Sequence, residues 1–144
     1  MFEIILSCCV SYSITEVSHR VIDRDGIVPA TLRAMTQSLR KLTPNPDKVI
    51  IDGISKPVID GFDIEAIKDG DAKSLSIAAA SVLAKVHRDR LMQRYHKIYP
   101  DYGFSGHKGY GTARHLQALK KYGACPIHRM TYRPVRETKE NGQE

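Results

Sequence analysis

The first apolar block, residues 2–14 (FEIILSCCVSYSI), is rich in Ile, Val, Tyr and Cys and lacks polar residues at helical spacing. That pattern predicts one long strand packed on at least one face. Thr15 is placed to cap a short helix through about Ile22, with Glu16 in its first turn, before the turn at Asp25-Gly26. From Pro29 to Leu42 the period changes. Leu32, Met35, Leu39 and Leu42 recur at helical spacing while Arg33, Gln37, Arg40 and Lys41 fill the other face, which predicts an amphipathic helix. Pro44 and Pro46 break the chain, and residues 48–53 (KVIIDG) read as a short buried strand ending in Asp52.

A second short strand is expected over Ile64 to Lys68, followed by the acidic loop Asp69-Gly70-Asp71. Ser74 or Ser76 then caps a helix that runs to Tyr99, because Pro100 stops it. The small residues Ala78, Ala79, Ala80, Ser81 and Ala84 would let that helix pack closely on a sheet. A glycine-rich loop spans Tyr102 to Gly111, and a compact helix opens at Thr112 and closes at Gly123. Residues 124–135 read as irregular and basic, and residues 136–144 as a disordered tail. With no internal repeat, the pattern describes an α/β chain with one domain over residues 1–135.

Charge sharpens this picture. The net charge is +6 at pH 7, and it is unevenly placed: residues 84–144 hold 13 Lys/Arg against 5 Asp/Glu, while residues 1–83 hold 9 against 11. The C-terminal half is therefore the candidate phosphate-facing half, with a plain solvated basic surface as the alternative. Cys8, Cys9 and Cys125 are odd in number and two are vicinal, which does not resemble a secreted disulfide framework. A reducing cytoplasm is the expected compartment. The apolar N-terminal stretch carries Glu3, has no basic flank and is too short for a membrane span.

The candidate chemistry begins with Asp52. An aspartate at the C-terminal end of a buried parallel strand sits where open α/β sheets present ligands, although Asp-Gly is also a common strand-ending turn. Asp71 lies 19 residues further on, in the loop before the Ala-rich helix. Two carboxylates brought together resist joint ionisation unless a cation lies between them, and hard oxygen donors suit Mg²⁺ or Mn²⁺. The loop Gly103 to Gly111 (GFSGHKGYG) offers backbone approach to a phosphate, with charge from Lys108 and a flat face from Tyr110. It also reads as a surface turn with an incidental tyrosine. His87, His96, His107, His115 and His128 are scattered without a zinc pattern, Ser81 lacks a nucleophile elbow, and Cys125 has no argued base.

Taken together, VIIDG (49–53), GDAKSLSIAAASVLAKVHRD (70–89), YPDYGF (99–104) and HKGYGT (107–112) resemble the ribonuclease HII family. The resemblance continues through KKYG (120–123) into IHRMTYRPV (127–135), and is looser over residues 1–43. It implies a ribonuclease H-like fold, here an incomplete mixed sheet flanked by helices. It also implies a metal-dependent endonuclease, using Mg²⁺ or Mn²⁺, that cuts 5′ of a ribonucleotide in an RNA–DNA hybrid or a DNA duplex and leaves a 3′-hydroxyl. By this resemblance Asp52 and Asp71 are catalytic metal ligands, and Tyr110 packs on the deoxyribose next to the ribonucleotide. Lys85, Arg88, His107 and Lys108 are then phosphate contacts, from charge and position.

Two family features are absent from these 144 residues: a strand ending in Asp-Glu and the Gly-Arg-Gly loop that reads the ribose 2′-hydroxyl. Residues 130–133 (MTYR) also depart from the family's Arg, Ser, Phe and small residue. The chain thus resembles a family member lacking roughly its first third. The expectations that follow are impaired cleavage, unpaired strand edges at the N-terminal strand and at the strand ending in Asp52, and, as the alternative, a non-catalytic nucleic-acid-binding remnant.

Overall fold

A computed structural model describes residues 1–140. Its helices are α1 (Phe2–Cys8), α2 (His19–Asp25), α3 (Ile27–Leu39), α4 (Leu75–Ile98), α5 (Phe104–His107), α6 (Ala113–Tyr122) and α7 (Arg133–Glu140), with strands β1 (Val49–Asp52) and β2 (Ile64–Ile67). Within the chain, contacts cluster into two compact units, Met1–Val17 with Gly26–Val86, and Ser18–Asp25 with the residues from His87 onward.

In the first unit, α3 follows the predicted amphipathic pattern, starting at Gly26 in a φ of +90° that glycine tolerates. Pro29 sits in the first turn, where a helix has no use for its missing amide hydrogen. Leu39 is buried with Ile59 and Ile64, and Leu42, Val49, Ile51 and Phe62 pack around them. β1 and β2 pair in parallel from Val49↔Ile64 to Asp52↔Ile67, and the Gly53 amide continues the ladder to the Ile67 carbonyl.

Residues 2–14 depart most from expectation. Phe2–Cys8 is helical and residues 9–17 are irregular, so the predicted long strand is not there. The physical reason is the main chain. A strand needs a neighbour for its amides and carbonyls, and the sheet among the described residues consists of β1 and β2 alone. The helix satisfies the same groups locally, with Ile5 and Cys9 donating to Met1 and Ile5. Thr15 likewise lies outside α2, which starts at His19.

α4 has the predicted span, with Ser74 at its N-cap position and its carbonyl accepting from Ala78. Its expected close packing through small residues is not seen: Ala80, Ser81 and Ala84 are exposed, and Ile77 and Leu83 are buried. Burial favours the larger side chains because each removes more apolar area from water, while alanine contributes helix propensity.

The second unit has its own core. Tyr102, Phe104, Ala118, Leu119, Cys125 and Val135 are buried together, with Met92, Tyr95, Tyr99, Leu116, Ala124 and Ile127 packed on them. Thr112 caps α6 as expected, its side chain accepting from the His115 amide. α2 is tied in by Asp23, whose carboxylate accepts from the amides of Met130 and Thr131 and from the Thr131 hydroxyl. Desolvation works to raise the Asp23 pKa, but those three donors and nearby Arg129 hold it below the ordinary carboxylate value. The predicted disordered tail is helical through residues 136–140, and residues 141–144 lie outside the described residues. Val135, 1% exposed, anchors the first turn of α7, and Arg133 pairs with Glu137 one turn on.

Three histidines enter this core. His107, His115 and His128 are all buried. The His107 and His115 rings stack at 4.3 Å, and the His115 and His128 Nε2 atoms are 3.0 Å apart. Burial lowers the His115 pKa against the opposing pull of its hydrogen bond to the Tyr110 carbonyl, and His107 lowers it further. Burial, then His115, push His128 from 6.5 down to about 4.

Two outcomes follow for stability. Both imidazoles are neutral when folded and protonate more readily when unfolded, so the unfolded state binds the extra protons as pH falls. Their contribution is fully present above the unfolded value of 6.5 and is lost as pH falls below it, for His128 as the pH approaches about 4. For His128 it is on the order of 3 kcal/mol. Thermal unfolding followed between about pH 4 and 7 should show Tm rising with pH, an effect weakened in His128→Phe. Independently, Leu119→Ala should cost about 2–5 kcal/mol in denaturant unfolding, since Leu119 is 2% exposed at the centre of its core.

Candidate functional site

Asp52 ends β1 and is solvent-exposed. Gly53 follows with φ +104°, a conformation that favours glycine, so the Asp-Gly pair does turn the chain out of the strand. The aspartate is also engaged. The Gly70 amide donates to its Oδ1 at 2.8 Å, joining the strand end to the 3-10 turn Gly70–Ala72 that carries Asp71. A Cβ on Gly70 would lie 2.6 Å from Ile77 Cδ1 and 3.4 Å from both Cα and Oδ1 of Asp52. A methyl there would have to displace the tip of the Ile77 side chain and would sit at ordinary contact distance from Asp52, so the turn packs tightly on the strand end. Asp69 before it takes a left-handed φ of 55°, and the Gly70 carbonyl accepts from Lys73 and Ser74 to lead into α4. Asp71 is exposed, one residue beyond the contact with Asp52.

The two aspartates thus stand on adjoining elements of the first unit, as the sequence reading expects. A shallow groove of about 190 Å³ beside Asp52 is lined by Ile27, Val28, Leu32, Met35 and Ile54 among others. An ionised carboxylate accepts through two oxygens and about four lone pairs, so one amide bond orients Asp52 without exhausting it. Among the described residues no three His, Cys, Asp or Glu side chains gather into a metal-holding group. Two exposed carboxylates nonetheless suit Mg²⁺, which is commonly held by one or two carboxylates with water and substrate phosphate completing the shell.

The second unit holds the glycine-rich loop. Tyr110 is 63% exposed, and the Arg88 guanidinium lies over its ring at 4.8 Å. Arg88 Nη2 also donates to the Lys108 carbonyl at 3.1 Å, so one side chain braces the loop backbone and covers one face of the tyrosine. Lys108 takes a left-handed φ of 51° and its ammonium donates to the Ser105 carbonyl, which leaves two of its three hydrogens for other acceptors. Lys85 is exposed on α4 in the first unit.

His107 does not fit the phosphate-contact role expected for it. It is 9% exposed, its Nε2–H donates to the Tyr102 carbonyl at 2.7 Å, and its Nδ1 accepts from the Gly109 amide at 3.2 Å. With both nitrogens committed inside the protein, it braces the loop from within. Sequence reading also missed the contact of Cys125 with His128, where Sγ and Nδ1 are 3.0 Å apart. Burial pushes the Cys125 thiol up, so this pair is not an activated nucleophile. No spacing rule could have found the histidine cluster, because its members come from α5, α6 and the following loop.

No helix among the described residues is long and apolar enough to cross a membrane. The family model for ribonuclease HII matches residues 2–135. The chain is 49% identical over 137 residues to the ribonuclease HII of Endomicrobium trichonymphae, covering 95% of this chain and 65% of that one. It is 50% identical over 142 residues to the ribonuclease HII of Geotalea daltonii, covering 98% and 65%. The chain therefore spans just under two thirds of the length of these curated relatives. The crystal structure of the ribonuclease H2 from Pyrococcus horikoshii OT3 matches with a TM-score of 0.86 over 99% of this chain and 75% of that one; at 22% identity it establishes the ribonuclease H-like fold. With the family match running through both compact units and taking in Asp52, Asp71 and the Tyr110 loop, this chain belongs to the ribonuclease HII family.

Proposed function

We propose that these residues belong to a cytoplasmic endonuclease that hydrolyses the phosphodiester 5′ of a ribonucleotide in an RNA–DNA hybrid or a DNA duplex, leaving a 3′-hydroxyl. The observation that carries this reading is the Gly70–Asp52 contact, which holds the turn bearing Asp71 against the end of the strand that carries Asp52. Ribonuclease HII enzymes are generally dependent on divalent metals, and Asp52 and Asp71 are the residues of this chain that would hold Mg²⁺ or Mn²⁺. Such an ion, when bound, supplies Lewis acidity for activating water and stabilising the leaving oxygen.

The chain's own residues contribute orientation and charge. The Gly70 amide fixes the Asp52 carboxylate, and Asp71 presents a second hard oxygen donor from the turn. Tyr110, with one face under Arg88, offers its other face to the deoxyribose beside the ribonucleotide. Lys85, Arg88 and Lys108 neutralise backbone phosphates. Two carboxylates against the charge of two divalent ions make a weak site, and turnover by these 144 residues alone is accordingly impaired.

The test uses a DNA duplex containing one ribonucleotide. The purified chain should cut it slowly in Mg²⁺ or Mn²⁺, with chelation abolishing the reaction and Asp52→Asn or Asp71→Asn lowering the rate by at least about a hundredfold. Cleavage that survives Asp52→Asn would sink the assignment. Salt-sensitive binding with no cleavage in either metal would favour the binding-only alternative. Gly70→Ala should lower stability by about 1 kcal/mol, because the added methyl must displace the Cδ1 end of Ile77 beside Asp52, and should also reduce cleavage. Thermal melts beside rate measurements check both effects; an unchanged Tm would contradict the close approach.

A further inference from the structure

The second unit contains a chain of hydrogen bonds that runs from one part of the backbone to another through two imidazoles. The Tyr110 carbonyl lies 2.9 Å from His115 Nδ1. A carbonyl only accepts, so Nδ1 must carry the proton, which leaves Nε2 of neutral His115 bare. That bare nitrogen is 3.0 Å from His128 Nε2, which must therefore donate, leaving His128 Nδ1 bare. At the far end the Cys125 amide donates to His128 Nδ1 at 3.0 Å. At that end the Cys125 carbonyl also lies 3.3 Å from Nδ1 and would accept from a proton there, but the shorter amide contact calls for a bare Nδ1, the same state that the His115 contact imposes. Read from the Tyr110 carbonyl, the order runs Cys125 N–H to His128, His128 to His115, His115 to the Tyr110 carbonyl.

We propose that His128 and His115 are positioning residues for Tyr110, forming a proton-ordered relay by which the Cys125–His128 turn holds the recognition loop. The proposal rests on the reading of Tyr110 as the sugar-packing residue. An added proton on His115 would set N–H against N–H at the Nε2 contact, and one on His128 would set its Nδ1–H against the Cys125 amide; either breaks the order. The surroundings keep both rings neutral. Phe104 meets the two rings at 5.4 and 5.7 Å and Tyr102 meets His128 at 5.1 Å. The titratable and charged groups facing the pair are His107 from α5, His19 from α2, Tyr102, the Cys125 thiol, and Arg88 and Arg129 on the cavity that the pair lines. No carboxylate is among them, so nothing in that set favours imidazolium.

The relay is read first without substrate. Long-range ¹⁵N–¹H correlation spectra of the wild-type chain near neutral pH should show opposite tautomers, Nδ1–H at His115 and Nε2–H at His128. Matching tautomers, or a charged ring at either position, would overturn the proposal whatever Tyr110 does. The second measurement is the affinity for a duplex carrying one ribonucleotide relative to an all-DNA duplex, by fluorescence anisotropy. His128→Phe keeps a ring in the core but cannot relay, and should lower that preference roughly three- to tenfold, the scale of one hydrogen bond, while affinity for all-DNA duplex holds. The wild-type preference should also fall as pH is lowered, and that of His128→Phe should not. An unmoved preference in His128→Phe overturns the positioning role. If Tyr110→Ala leaves the preference intact, the reading of Tyr110 fails separately, and the tautomers still decide the relay.

Discussion

The requirement that each main-chain amide and carbonyl find a partner organises both units of this protein. It decides the N-terminal segment, where a composition suited to a strand becomes a helix because β1 and β2 pair only with each other among the described residues. It also builds the carboxylate site. The amide of Gly70, at the start of a 3-10 turn, is satisfied by Asp52 instead of by its own helix, and that substitution holds the turn bearing Asp71 against the strand end. In the second unit the Tyr110 carbonyl and the Cys125 amide are satisfied by side chains of a buried histidine pair.

The two units divide the chemistry by type. The first carries the hard oxygen donors, both exposed, with one amide orienting Asp52 and a glycine at the closest approach. The second carries most of the positive charge and the exposed Tyr110 ring, held by Arg88 through both its guanidinium plane and a hydrogen bond to the loop. A cation over an aromatic face leaves the opposite face for stacking, which suits a residue that must read a sugar rather than a base edge. The loop's rigidity comes from beneath, where His107 spends both ring nitrogens on backbone groups.

Much of this was legible in the residues. The periodicity of α3, the strand ending at Asp52, the span of α4 between Ser74 and Pro100, and the capping of α6 by Thr112 follow from local rules that act within a few residues. Motif order placed Asp52, Asp71 and Tyr110 as the residues of interest. The readings of these elements succeeded because caps, prolines and short-range spacing do not depend on what lies across the fold. The helix at Arg133–Glu140 was not legible, since its polar surface hides the one buried valine that anchors it.

By itself, then, the sequence determined the family and the main helices, and it singled out the two aspartates as candidates. Tertiary structure alone decided three further matters. It turned residues 2–8 into a helix, because strand pairing is a property of neighbours. It withdrew His107 from the phosphate surface, because burial and two internal hydrogen bonds leave its nitrogens no outward role. It brought His115 and His128 together across 13 residues, because a hydrogen bond of 3.0 Å between two rings depends on where α6 and the loop after it pack, and not on their spacing in the chain.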